Sequence, residues 1–121
     1  MAYFKPVPVA ATSSGNLAAT ASSGGGANAT VTFAAPASSG IRNTITSAAW
    51  SYSTTPSSGF FRVYSGTSSG ALMCQLEILA QGPDGWQFDP LGAVPGQALT
   101  VILTQAGSSV IGYLNAYGRR E

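Results

Sequence analysis

From residue 29 onward the chain is cut about every ten residues by clusters of Gly, Pro, Ser and Asn, and the intervals alternate apolar with polar residues. The clearest interval is Ala71 to Ala80, which sets Leu72, Cys74, Leu76 and Ile78 on one side and Met73, Gln75, Glu77 and Leu79 on the other. A period of two is that of a strand with one buried face, and no stretch sustains the helical period. Val31 and Phe33 alternate with Thr30 and Thr32, and Leu99, Val101 and Leu103 share one face. The interval from Ile41 to Tyr52 changes phase, because Ile41 and Ile45 have one parity and Trp50 and Tyr52 the other. A bulge near Ser47 to Ala49 would return both sets to one face. The last two intervals, Gln97 to Thr104 and Val110 to Tyr117, are expected to form a hairpin across Ala106 to Ser109.

Seven or so short strands with turns between them indicate an all-β fold, an antiparallel β-sandwich of jelly-roll-like or immunoglobulin-like topology. Trp50, Phe61, Trp86 and Leu114 are expected to fill it. The first 28 residues differ. Tyr3, Phe4, Val7 and Val9 surround Pro6 and Pro8, which hold that stretch extended, and residues 10–28 are low in complexity with Leu17 the one large apolar side chain. The expected organisation is therefore an extended N-terminal arm over 1–28 and a sandwich domain over 29–121, with the arm ordered by lying on another subunit.

Charge is scarce. Five Lys or Arg and four Asp or Glu make 7% of the 121 residues, against ~25% in ordinary soluble domains. None lies between Lys5 and Arg42, and there is no histidine. A surface this poor in ions suits a subunit packed against copies of itself or a partner. It also removes most chemistry. Acid–base catalysis needs matched ionisable groups, and Glu77, Asp84 and Asp89 are read as a strand-face charge, a turn residue and a residue before Pro90. A glycosidase-like pair or a calcium site drawn from them has no supporting motif. Cys74 has no histidine to activate it and no second cysteine to pair with, so it is read as a small buried hydrophobe. No transition-metal ligand set, phosphate cradle or basic stripe is present, so no cofactor, metal or nucleic acid is expected. The triple glycine at 24–26 lacks a preceding strand and a following lysine. Arg119 and Arg120 precede Glu121, which fits a solvated end or a local salt bridge better than a phosphate grip. No apolar run reaches membrane length and the start lacks a signal-peptide core, so synthesis in the cytoplasm is expected.

On the last strand Ile111, Tyr113 and Tyr117 share a parity opposite Leu114 and Ala116. If that face points outward it is apolar enough for a subunit contact, with the core and a sugar-stacking platform as the other readings. Together with Tyr3, Phe4, Val7, Val9 and Leu17 of the arm, these are the candidate interface residues.

The stretches ATVTFAAPASSGIRNTITSAAWSYS and PGQALTVILTQAGSSVIGYLNAYGRRE resemble small β-sandwich structural proteins of tailed bacteriophages, the decoration, cement and minor head proteins. The resemblance covers roughly residues 29–118. It implies a non-enzymatic virion component, assembled in the host cytoplasm as a homo-oligomer, often a trimer. Such a subunit braces the major capsid protein through an extended arm and needs no small-molecule ligand. A tail, fibre or head–fibre junction protein and a carbohydrate-binding module, using Trp86, Tyr113 or Tyr117, are the alternatives.

Overall fold

A computed structural model describes residues 15–121. Eight strands carry them: β1 (Gly15–Ser22), β2 (Ala29–Phe33), β3 (Asn43–Tyr52), β4 (Gly59–Ser65), β5 (Ala71–Ile78), β6 (Asp84–Gly92), β7 (Leu99–Leu103) and β8 (Gly112–Arg120). They form two four-stranded sheets, β1-β8-β3-β6 (the first) and β2-β7-β4-β5 (the second). The pairs β1/β8, β2/β7, β3/β6 and β4/β5 are all antiparallel and nest inside one another. This is the connectivity of one long hairpin rolled up, and it selects the jelly roll over the immunoglobulin-like topology.

The core lies between the sheets. Phe61 and Val63 of β4, Leu99, Val101 and Leu103 of β7, Ile45 and Trp50 of β3, and Leu114 and Ala116 of β8 are nearly or fully buried. Phe61 stacks between Trp50 at 4.8 Å and Phe88 at 6.0 Å between ring centroids. At such separations aromatic pairs add to simple area burial.

The phase change in β3 is resolved as the alternation requires. The register slips between Ile45 and Ser47 against both neighbours: Thr46 is the extra residue against β8, whereas against β6 the excess lies in residues 88–90 of β6 itself. Ile45, Ala48, Trp50 and Tyr52 then all face inward, and Thr46 Oγ1 donates to the Tyr117 carbonyl at 3.2 Å. The neighbouring backbones draw close there. A Cβ on Gly118 would collide with the Thr44 carbonyl, so this position in β8 is held by glycine.

Four expectations are corrected. The segments around 97–104 and 110–117 do not form a hairpin. β7 is flanked by β2 and β4 in the second sheet and offers no free edge, so the chain crosses and β8 joins the first sheet. Leu72 does not face the core. Val63 pairs with Cys74 but Tyr64 with Leu72, so Met73 is an extra residue and Leu72 turns outward, 50% exposed. Trp86 does not fill the sandwich; it is also 50% exposed. Residues 15–22, assigned above to the arm, form β1, with Leu17, Ala19 and Ala21 packed against the core. Small side chains suffice there because β2 packs directly across from β1.

The chain end is tied in by a buried amide. Asn43 Nδ2 donates to the carbonyls of Phe33 and Ala34 at 3.0 and 2.9 Å, and its Oδ1 accepts from Arg120 Nε at 2.9 Å. Arg120 Nη2 also reaches the Ala34 carbonyl at 2.7 Å. The local salt bridge of the arginine pair therefore falls to Arg119, whose Nε lies 3.3 Å from Glu121 Oε1.

Candidate assembly surface

The outer faces of the two sheets differ in chemistry. On the second sheet Arg62 lies 5.0 Å over the Phe60 ring and donates to Gln75 Oε1 at 2.7 Å, with Glu77 on the same strand as Gln75. On the first sheet the outward rows are set by register. Asn16 lies beside Arg119, Ala18 beside Tyr117, Thr20 beside Asn115 and Ser22 beside Tyr113. β3 continues those rows with Ser47 beside Tyr117, Ala49 beside Asn115 and Ser51 beside Tyr113. Arg119 is the one charge among these strand residues, and it sits at the margin.

Tyr113 and Tyr117 are each 44% exposed on this face. They lie four residues apart on one strand, a spacing of ~13 Å. Small neighbours on both sides leave their rings standing above the sheet. Ile111, just before β8, is half-buried, and its carbonyl accepts from the Ser53 N–H at 2.8 Å. Of the candidate interface residues, Tyr113 and Tyr117 are thus brought together outward, with Ile111 at their end. Leu17 faces inward against the core, and its place on the surface is taken by Asn16 and Ala18. Tyr3, Phe4, Val7 and Val9 lie outside the described residues.

A second apolar surface was not visible in the alternation. Among the described residues the first sheet ends at β6 and the second at β5, and these two strands scarcely meet across the sandwich. Cys74, Leu76 and Phe88 remain only partly covered there, beside the half-exposed Trp86. Burial still pushes the Cys74 thiol above its ordinary pKa, which keeps it protonated and poorly nucleophilic. The signal that could have marked this margin is Pro90, since proline inside a strand belongs to an edge.

The acidic residues do not converge. Glu77, Asp84 and Asp89 are exposed on β5 and β6, and Asp84 Oδ1 accepts from the Gly85 N–H at 2.8 Å. Among the described residues no group of three or more His, Cys, Asp or Glu side chains could hold a metal ion. Nor is any helix among them long and apolar enough to cross a membrane.

No protein-family model matches the chain, and no curated protein does. Among solved structures it is similar to one described in the words "Bacillus endospore appendages form a novel family of disulfide-linked pili", at 13% identity over 96% of each chain with a TM-score of 0.45. That likeness is too distant to assign this chain a role.

Proposed function

We propose that this chain is a non-enzymatic building block of a multi-subunit particle, a decoration or cement subunit on the capsid of a tailed phage. The observation that carries this reading is the outer face of the first sheet. Across β1, β8 and β3 it carries Arg119 as its one charge, bears two half-exposed tyrosines, and flanks them with small side chains that let another surface approach closely. Burying one such ring contributes ~1.5–3 kcal/mol before ordering costs, and repetition over a shell multiplies weak contacts into firm attachment. A homo-oligomer seated on the major capsid protein is the arrangement this proposal takes. The test is to add purified chain to capsids of the parent phage that lack it. Binding that withstands washing, and fails when Tyr113 and Tyr117 are both replaced by Ser, supports the reading. Capsids that stay bare refute the shell location.

The same two rings favour one second reading. With Asn16, Asn115 and Ser47 around them, Tyr113 and Tyr117 have the chemistry of a sugar-stacking platform. Glycan-array binding that disappears on Tyr113→Ala would establish it, and a flat array would remove it.

A further inference from the structure

The strand edges of this sandwich are unequally protected. β6 contains Pro90, carries Asp84 and Asp89, and breaks register opposite Thr46. β5 carries Glu77 and an extra residue at Met73. β2 is only five residues long. Charges, prolines, bulges and shortness are the devices that stop one sheet edge from pairing with another. β1 has none of them. It runs eight residues, GNLAATAS, without charge, proline or register slip.

The orientation of its backbone groups follows from one bond. The Ser23 N–H donates to the Gly112 carbonyl at 2.9 Å, in continuation of the β1/β8 register. Since backbone groups alternate along a strand, odd residues of β1 bond to β8 and even residues point away from it. Asn16, Ala18, Thr20 and Ser22 thus present their N–H and C=O groups at an edge that no other described residue occupies. Their side chains are small and exposed on the outer face.

We propose that the free edge of β1 pairs antiparallel with β1 of a second copy about a two-fold axis, fusing two four-stranded sheets into one. The sequence of β1 fits itself. With Ala19 on the axis, Asn16 faces Ser22 of the other copy and Ala18 faces Thr20, so all four outward-pointing residues of each strand find a partner. No charge meets a like charge and no bulky side chain blocks approach. A two-fold contact uses the same patch twice and closes on itself, so it adds a copy without seeding a filament. Tyr113 and Tyr117, next to Ser22 and Ala18, then lie on one continuous face of the fused sheet, on which Arg119, beside Asn16, is the one charge that β1 and β8 contribute from each copy. This deepens the assembly reading above by naming the partner and the edge.

The test uses the full chain. Thr20→Lys puts a charge on the exposed edge, and Ala18→Pro deletes an N–H that β8 does not use. At about 0.5 mM the wild-type chain should sediment as a dimer or a multiple of one, and each variant should weaken that association by about tenfold or more with its far-ultraviolet circular dichroism unchanged. Gln87→Lys, on the opposite margin, should leave it intact. Amide hydrogen exchange should show Ala18 and Thr20 protected in the associated form and released on dilution. Deletion of residues 1–14 should leave association in place; its loss would mean that this segment fills the edge, and would overturn the pairing. Association that survives both edge variants, or a wild-type chain monomeric at that concentration, also overturns it. Binding to capsids lacking the protein is scored separately and decides the assembly reading, so the two can fail independently.

Discussion

The two lateral margins of the sandwich contrast sharply. At the β1/β2 margin β1 turns only Leu17, Ala19 and Ala21 inward, against Ala29, Val31 and Phe33 of β2, yet the sheets meet. At the β5/β6 margin Leu76, Trp86 and Phe88 are large, yet the sheets stand apart and leave them, with the smaller Cys74, partly uncovered. Side-chain size therefore does not decide burial at an edge; the approach of the opposing sheet does. The margins also differ in how they deter neighbours. The open one carries Glu77, Asp84, Asp89 and Pro90, while the closed one carries no charge at all. An apolar opening guarded by charges resists sheet extension, whereas an uncharged flat edge permits it.

The largest effect should come from the core that both margins share. Phe61→Ala removes the ring held between Trp50 and Phe88 and should cost ~3–5 kcal/mol, read as a lower denaturant midpoint. An equal loss from Trp86→Ala would break the contrast, because it would mean that the open margin is as well packed as the centre. Next comes Asn43→Ala, which removes the Asn43 donor from the Phe33 carbonyl, leaves the Ala34 carbonyl to Arg120 Nη2 alone, and deprives Arg120 Nε of the Asn43 acceptor. It should cost ~2–3 kcal/mol, and with it the anchoring of the chain end, visible as faster amide exchange around 119–121.

Alkaline titration sharpens the picture of the closed interior. Burial pushes the Tyr52 phenol up to about 12, partly offset by the Thr104 side chain, and its hydroxyl donates to the Thr104 carbonyl at 2.8 Å. The folded state thus holds this proton more tightly than the unfolded chain, whose tyrosines ionise near ~10. The stabilisation is complete below pH ~10 and is lost as pH rises through about 12. Absorbance should show a phenol ionising in that late window, and stability should decline across it; Tyr52→Phe should remove both. The smallest effect belongs to the open margin. Trp86→Ser should change stability by less than ~1 kcal/mol. With only two tryptophans in the chain, Trp50→Phe should leave red-shifted, readily quenched emission from Trp86, and Trp86→Phe the blue-shifted, protected emission of Trp50. Equal quenching of the two would show that the β5/β6 margin is covered in solution.

Much of the candidate surface was legible because strand parity is local. Tyr113 and Tyr117 share a face opposite Leu114 and Ala116, and that division holds in the structure. The bulge in β3 was legible to within a residue or two, since only an extra residue reconciles Ile45 with Trp50. The role of Leu17 was not. A segment rich in Ala, Ser and Gly gives no alternation strong enough to announce a strand, and β1 exists because β8 offers it an edge and β2 a surface. Leu72 misled for the opposite reason: its alternation is clean, but one extra residue at Met73 reverses the face of everything before it.

What the sequence determined by itself is the class of object: strands separated by turns, a face for most side chains, and a surface nearly without ions. Each follows from bonding and spacing within a few residues. Only the tertiary structure decided which strands share a sheet, which margin closes, and which edge stays free. Those outcomes depend on pairings between residues as far apart as Gly15 and Arg120. Backbone groups at such distances choose among partners by what the rest of the sheet leaves available, and no local pattern records that choice.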